Sequence, residues 1–413
     1  MSEVKTFDTQ QKRSAAQRRR LFIILIAGLI IVLIGSSLAA YFTFFLGRGS
    51  PAAIPTVGHA FFVSSGLLST SPESSQGITD QLQINLQGIP DPQPGKSYYA
   101  WLLNEKNLEW KPIFLGKLPL NHGTVDFSYP GDSDHTDLLA SNSRLLITEE
   151  DADVSPQSPS LDSKTWRYYA QISQIAHSLA PNAQKYSLYD HIRHLLAEDP
   201  TLKAVGLTGG LDIWLYRNTQ KILEWSGSAR DSWQTKSTGS GQFIRRQLTR
   251  ILDYLDGVVY VQQDLPGQPL LVDPTIAKVA LLTFDIQRQN PPGYLYHIGS
   301  KHLHEITQLP EATDGQRALA VQINVAVNNV DFWLHIVRND AVKLYNMSDD
   351  QLFGDDGRTL LDDLAAQANN AFVGQINPRS NQVKEGVVQI HYNIQRLATF
   401  DIRECTSSHP CPL

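Results

Sequence analysis

From Leu21 to Gly47 the chain carries no charged residue, and Leu21–Ile34 is almost entirely Leu, Ile, Val, Phe and Ala. At ~1.5 Å of rise per residue, ~20 such residues cross the hydrocarbon of a bilayer, so residues 21–47 predict one N-terminal transmembrane helix. Arg18, Arg19 and Arg20 stop at its near edge, and Tyr41, Phe42, Phe44 and Phe45 form an aromatic belt at its far edge. Residues 1–20 hold six basic side chains against two acidic ones, a balance of +4; the whole chain is −6, which leaves −10 beyond the apolar stretch. The positive-inside rule then puts the basic tail, 1–20, in the cytoplasm and the bulk outside, as a single-pass cell-membrane protein. A cleaved signal peptide is the alternative, with Ser37-Leu38-Ala39 as its cut site, but the apolar run continues past that point to Leu46. An acidic bulk with few charges argues against nucleic acid as a partner.

After a Pro/Gly linker at 48–58, short runs rich in aliphatic and aromatic residues predict strands at Ala60–Leu68, Gln81–Gln87, Ser97–Asn104, Lys111–Leu118, Thr124–Tyr129 and Arg144–Glu150. Leu82, Ile84 and Leu86 alternate with Gln83, Asn85 and Gln87, the period of a strand with one buried face. These strands predict a membrane-proximal antiparallel β-sandwich over 59–153. Beyond the Ser/Pro stretch Val154–Ser160 the period lengthens to that of a helix, beginning with Trp166, Tyr169, Ile172, Ala176 and Leu179. Ser187 with Asp190 reads as a capping box. Further helices are predicted at Leu211–Trp225, Gln242–Gln263, Pro274–Gln289, Ser300–Gln308, Asp314–Tyr345, Arg358–Phe372 and Gln382–Arg403, a distal all-α helical domain over 161–404 followed by a tail at 405–413. The expected fold is therefore multidomain α and β.

One pattern in the strand region is specific. Leu82-Gln-Ile-Asn-Leu-Gln-Gly-Ile-Pro90 leads into Pro94-Gly95-Lys-Ser-Tyr98-Tyr99-Ala100-Trp101-Leu102-Leu103; Leu115-Gly116-Lys117-Leu118 and Leu145-Leu146-Ile147-Thr148-Glu149-Glu150 follow. Residues 53–160 thereby resemble the extracytoplasmic domain of anti-sigma-K (RskA-like) factors. The resemblance implies an envelope-facing β-domain with a regulatory role. It does not extend to a cytoplasmic sigma-binding domain, because only 20 residues precede Leu21, with no Cys or His among them.

Few residues carry candidate chemistry. Cys405 and Cys411 are close enough to form a disulfide across a short terminal loop; free thiols, or metal ligation with His409, are the alternatives. His191-Ile-Arg-His194 puts two imidazoles on one helical face beside Asp190, the best metal-ligand spacing in the chain. No Glu-x-x-His pair accompanies it, and a solvated helix face is expected. His302 and His304, at i and i+2, diverge by ~200° on a helix. Asp331 and His335 form an i, i+4 pair, and the acidic run Asp349–Asp356 lacks calcium-loop spacing. Trp214, Trp225 and Trp233 cluster in one helix and its following loop, candidates for lining an apolar ligand pocket.

No catalytic residue, metal or cofactor is expected. The function expected is non-enzymatic: sensing, regulation or interaction with a protein partner at the envelope. The alternative is an anchored binding protein for an apolar or envelope-derived ligand held in the helical region.

Overall fold

The computed structural model describes residues 55–67, 76–105, 111–179, 184–376 and 378–412. The expected transmembrane helix at 21–47 lies outside the described residues, and among those described no helix is long and apolar enough to cross a membrane.

Nine strands form one antiparallel sheet: β1 Thr56–Val63, β2 Gln81–Gln87, β3 Lys96–Asn104, β4 Ile113–Lys117, β5 Leu120–Asn121, β6 Thr124–Tyr129, β7 Asn142–Asp151, β8 Trp166–Gln171 and β9 Thr399–Glu404. Their order is β4-β3-β7-β8-β9-β1-β2-β6-β5. On β2 the alternation works as the sequence requires, with Leu82, Ile84 and Leu86 buried and the intervening polar residues facing out. β3 and β7 are covered on both faces. Tyr98, Ala100 and Leu102 join the main core. Tyr99, Trp101 and Leu103 point the other way, into a small cluster with Leu146 and Tyr169. Trp101 Nε1 donates to Thr148 Oγ1 at 3.0 Å, which satisfies its buried N–H.

In place of the expected sandwich stands a single curled sheet: a Cβ on Gly116 of β4 would meet the Phe127 ring of β6, from the other end of the strand order, at 3.0 Å. Seven helices make up most of the helical region that shares its core: α1 Leu188–Leu196, α2 Pro200–Ala204, α3 Leu211–Thr235, α4 Ser240–Asp264, α5 Asp314–Tyr345, α6 Asp355–Val373 and α7 Val387–Leu397. The long helix α5 has the bounds its periodicity predicts and starts at a Thr313/Gln316 capping box. Its seam of Ile323, Ala326, Val330, Trp333, Val337, Ala341 and Leu344 is buried against α4, α6 and α7. One contiguous apolar core runs from Phe62, Ile84 and Leu102 in the sheet to Leu215, Ile251 and Leu334 in the helices.

Three further expectations are corrected. Trp166–Gln171 is a strand, because Tyr168, Ala170 and Ile172 face the main core with a period of two and Tyr169 faces the small cluster; a register shift between Tyr168 and Trp166 in the pairing with β7 turns Trp166 to that cluster as well. Within Gln382–Arg403 only α7 is helical; Phe400 and Ile402 then alternate inward on β9. Pro274–Gln289 is irregular apart from the 3-10 turn Ile276–Lys278. That segment follows a kink in α4 at Gly257 (φ +68°), where the N–H groups of Leu281 and Leu282 donate to the carbonyls of Tyr254 and Leu255. A Cβ at 257 would meet Ala277 O at 3.0 Å. Because β8 and β9 sit in the same sheet as β1–β7, Thr56–Leu413 is one compact unit, and the Ser/Pro stretch 154–160 does not divide it.

Candidate metal centre

α1 begins at the Ser187/Asp190 capping box, and Leu188, Ile192, Leu195 and Leu196 bury its apolar face. His191 and His194 lie on a buried face too, at 1% and 4% exposure, where a solvated face was expected. The reason is tertiary: α1 packs against α3, α7 and the segment around His297–Leu303. Just beyond α1, Asp199 caps α2. Its Oδ1 accepts from Thr201 N at 2.9 Å, Leu202 N at 3.1 Å and the Thr201 hydroxyl, which leaves Oδ2 free to face inward.

What Oδ2 faces comes from a third element. Residues 297–303 form a π-helix between the α-helical turns Tyr294–Tyr296 and His304–Gln308. In an α-helix, residues five apart point about 140° from each other. The wider π turn closes that angle, and the His297 and His302 rings stack with centroids 4.9 Å apart at 28°. His297 Nε2 is 3.9 Å and His302 Nε2 is 3.7 Å from Asp199 Oδ2. His194, Asp199 and His302 each present a donor atom within 4.8 Å of the others.

Several atoms here are buried without a hydrogen-bond partner: His194 Nδ1, His297 Nδ1 and Nε2, His302 Nε2 and the Tyr294 hydroxyl. Such a concentration of orphaned polar atoms calls for a ligand. Burial holds the imidazoles neutral, the form that binds metals: His191 is pushed down to about 3, His194 and His297 to about 4, and His302 well below its ordinary value. Burial works against ionising Asp199, but His302, His297 and the Thr201 hydroxyl outweigh it and hold the carboxyl below its usual range. In tetrahedral coordination at ~2.0–2.1 Å the donor atoms would stand about 3.3–3.4 Å apart. The separations of His302 and His297 from Asp199, 3.7 and 3.9 Å, exceed that by a few tenths of an ångström, and the three residues whose donor atoms all lie within 4.8 Å of one another are His194, Asp199 and His302.

The other candidates are not gathered in this way. Trp214 is buried and donates to Thr208 O at 2.7 Å. Trp225 packs on Tyr254 with ring centroids 5.1 Å apart. Trp233 donates to Leu352 O at 2.8 Å and lines a shallow cleft with Arg230 and Arg358. Spread along the 25-residue α3, the three indoles make separate contacts and do not share a pocket. Cys405 and Cys411 are joined as a disulfide, Cα atoms 5.2 Å apart, and pack on the Tyr99/Trp101 cluster. Asp331 and His335 are 3.7 Å apart and half-exposed. Asp349, Asp355 and Asp356 lie in first turns of helices, and Asp349 pairs with Arg245.

Sequence reasoning found His191 and His194 but missed Asp199, His297 and Tyr294, and it set His302 beside His304, which is exposed. The signal available was weak: Asp199 before Pro200 is a helix-cap pattern, and nothing in it points to a ligand. No family model matches the chain, and neither the curated proteins nor the solved structures include a match.

Proposed function

We propose that this is a membrane-anchored extracytoplasmic protein that binds one divalent transition-metal ion through His194, His297, His302 and Asp199, and that it serves sensing or regulation at the cell envelope without catalysing a reaction. The observation that carries the reading is the set of orphaned imidazole nitrogens facing one buried carboxylate. Nitrogen and oxygen donors without a thiolate suit zinc and its first-row neighbours over copper(I), and imidazoles disfavour calcium or magnesium. His194, His302 and Asp199 supply three mutually close donors, and a small shift of His297, 3.9 Å from Asp199 Oδ2, would close a tetrahedral shell, the mark of a structural or sensory site, whereas catalytic sites keep a position open for water. The disulfide fits an oxidising compartment, and the uncharged stretch at 21–47 with its flanking charges supports the anchor. The resemblance of 53–160 to anti-sigma-K ectodomains favours regulation over transport.

Metal titration of the purified full chain, stripped with a chelator, tests this. Cobalt(II) should bind at one ion per chain with the intense visible bands of tetrahedral coordination, and zinc should displace it. Absence of stoichiometric binding, or binding that survives replacing both His297 and His302 by Ala, refutes the reading.

A further inference from the structure

The buried cluster contains one imidazole more than the metal reading uses, and its placement is informative. His191 Nδ1 lies 3.0 Å from His302 Nδ1, with the rings at 70°, and His191 Nε2 lies 3.4 Å from Glu305 Oε2. We propose that His191 and Glu305 form an outer-sphere pair that sets the tautomer and ring orientation of His302, so that its Nε2 lone pair is presented to the metal. The inference rests on the metal reading above.

The logic is one of hydrogen-bond direction. A contact between two Nδ1 atoms needs a proton on one and a lone pair on the other. If His302 binds metal through Nε2, its Nδ1 must carry the proton and donate to His191 Nδ1. His191 then has its own proton on Nε2, which faces the Glu305 carboxylate at 3.4 Å and is favoured there electrostatically. One choice of ligand atom therefore fixes every proton along the row. Metal-bound histidines are commonly held in this way by a second polar group, whose loss lowers affinity about 10–100-fold.

The surrounding structure holds the row in place. The Tyr186 ring stands edge-on to His191 at 5.5 Å and to His194 at 4.9 Å. His191 is 1% exposed, while the Glu305 side chain is 27% exposed and sits on the helical turn that follows the π-helix. Glu305 is thus the only member of the row within reach of solvent, and it can be altered without opening the core.

Cobalt(II) titration of the full chain separates the roles. Wild type should give the tetrahedral spectrum. Glu305→Gln and His191→Leu should keep its shape and stoichiometry while weakening affinity about 10–100-fold, with metal-free Glu305→Gln melting as wild type does. His302→Ala should change the spectrum itself, as loss of an inner ligand does. Wild-type affinity in both outer variants overturns the inference while leaving the metal reading intact, and so does a His191→Leu spectrum altered like that of His302→Ala, which would make His191 a ligand. Failure of the wild-type chain to take up cobalt(II) overturns the metal reading, and this inference with it. Should His191→Leu not fold, Glu305→Gln decides the matter alone.

Discussion

The placement of β9 makes a strong claim about cooperativity. Phe400 sits on the strand that joins β8 to β1, is fully buried, and packs on the equally buried Phe62 with ring centroids 5.4 Å apart. Replacing it with Ala removes the whole ring from a close-packed site, which costs about 3–5 kcal/mol. Against a typical total of about 5–15 kcal/mol, that is about a fifth of the stability or more. Because sheet and helices share one core, the loss should be felt everywhere at once. Tyr189 illustrates the link: it lies on α1, two residues before His191, and its hydroxyl donates to Leu139 O, just ahead of β7, at 2.7 Å. Urea unfolding of Phe400→Ala, followed by circular dichroism for the helices and by hydrogen exchange for individual segments, should show one transition, with α5 and β3 losing protection in parallel. If α5 and α6 kept wild-type protection while the strands opened, the helices would form an independent unit and the shared-core argument would fail.

Two other outcomes follow from local chemistry. Burial raises the Asp137 carboxyl to about 7, despite hydrogen bonds from the Thr79 hydroxyl and the Ala140 amide. A folded-state value above the unfolded one means that stability is fully present below the unfolded value and is lost as pH rises through about 7. Asp137→Asn should therefore flatten the fall in unfolding free energy between about pH 4 and about pH 7; an unchanged slope in chemical denaturation would show that Asp137 is not its source. Converting Cys405 and Cys411 to Ser should cost about 2 kcal/mol, the value for closing so short a loop, and should expose the Tyr99/Trp101 face on which the loop packs. Denaturant titration measures the first effect and tryptophan fluorescence the second, and a variant identical to wild type in both would remove any structural role for the bridge.

What could be read from the sequence was whatever depends on neighbours along the chain. The alternation of Leu82, Ile84 and Leu86, the seam of α5 and the Ser187 cap are local patterns, and each occurs where its period places it. The sheet's closure was hidden because β9 pairs with a strand at the other end of the described chain; His59 and Asp401, hydrogen-bonded at 3.0 Å, are 342 residues apart. Pattern reading saw a strand region and then a helical one, and had no means of returning the last strand to the middle of the first sheet. The same limit applied to His191 and His194: a spacing of three says that two imidazoles share a face, and only the elements packed on that face decide whether it meets water.

The π-helix hid the rest of the centre for a different reason. Read as an α-helix, residues 297–304 place His297, Lys301 and His304 on one face, at i, i+4 and i+7, and turn His302 away. The structure does the reverse, with His297 and His302 buried together and His304 exposed. The widened turn is accommodated at Gly299, where a Cβ would meet Asn324 Oδ1 at 2.7 Å and Val327 Cγ1 at 3.1 Å on α5. A larger residue would push the segment off α5, so the glycine and the π turn act together to bring the two rings into register. π-helical turns are uncommon and concentrate at functional sites. Here the turn has an identifiable consequence: it brings together over Asp199 two histidines that an α-helix would separate.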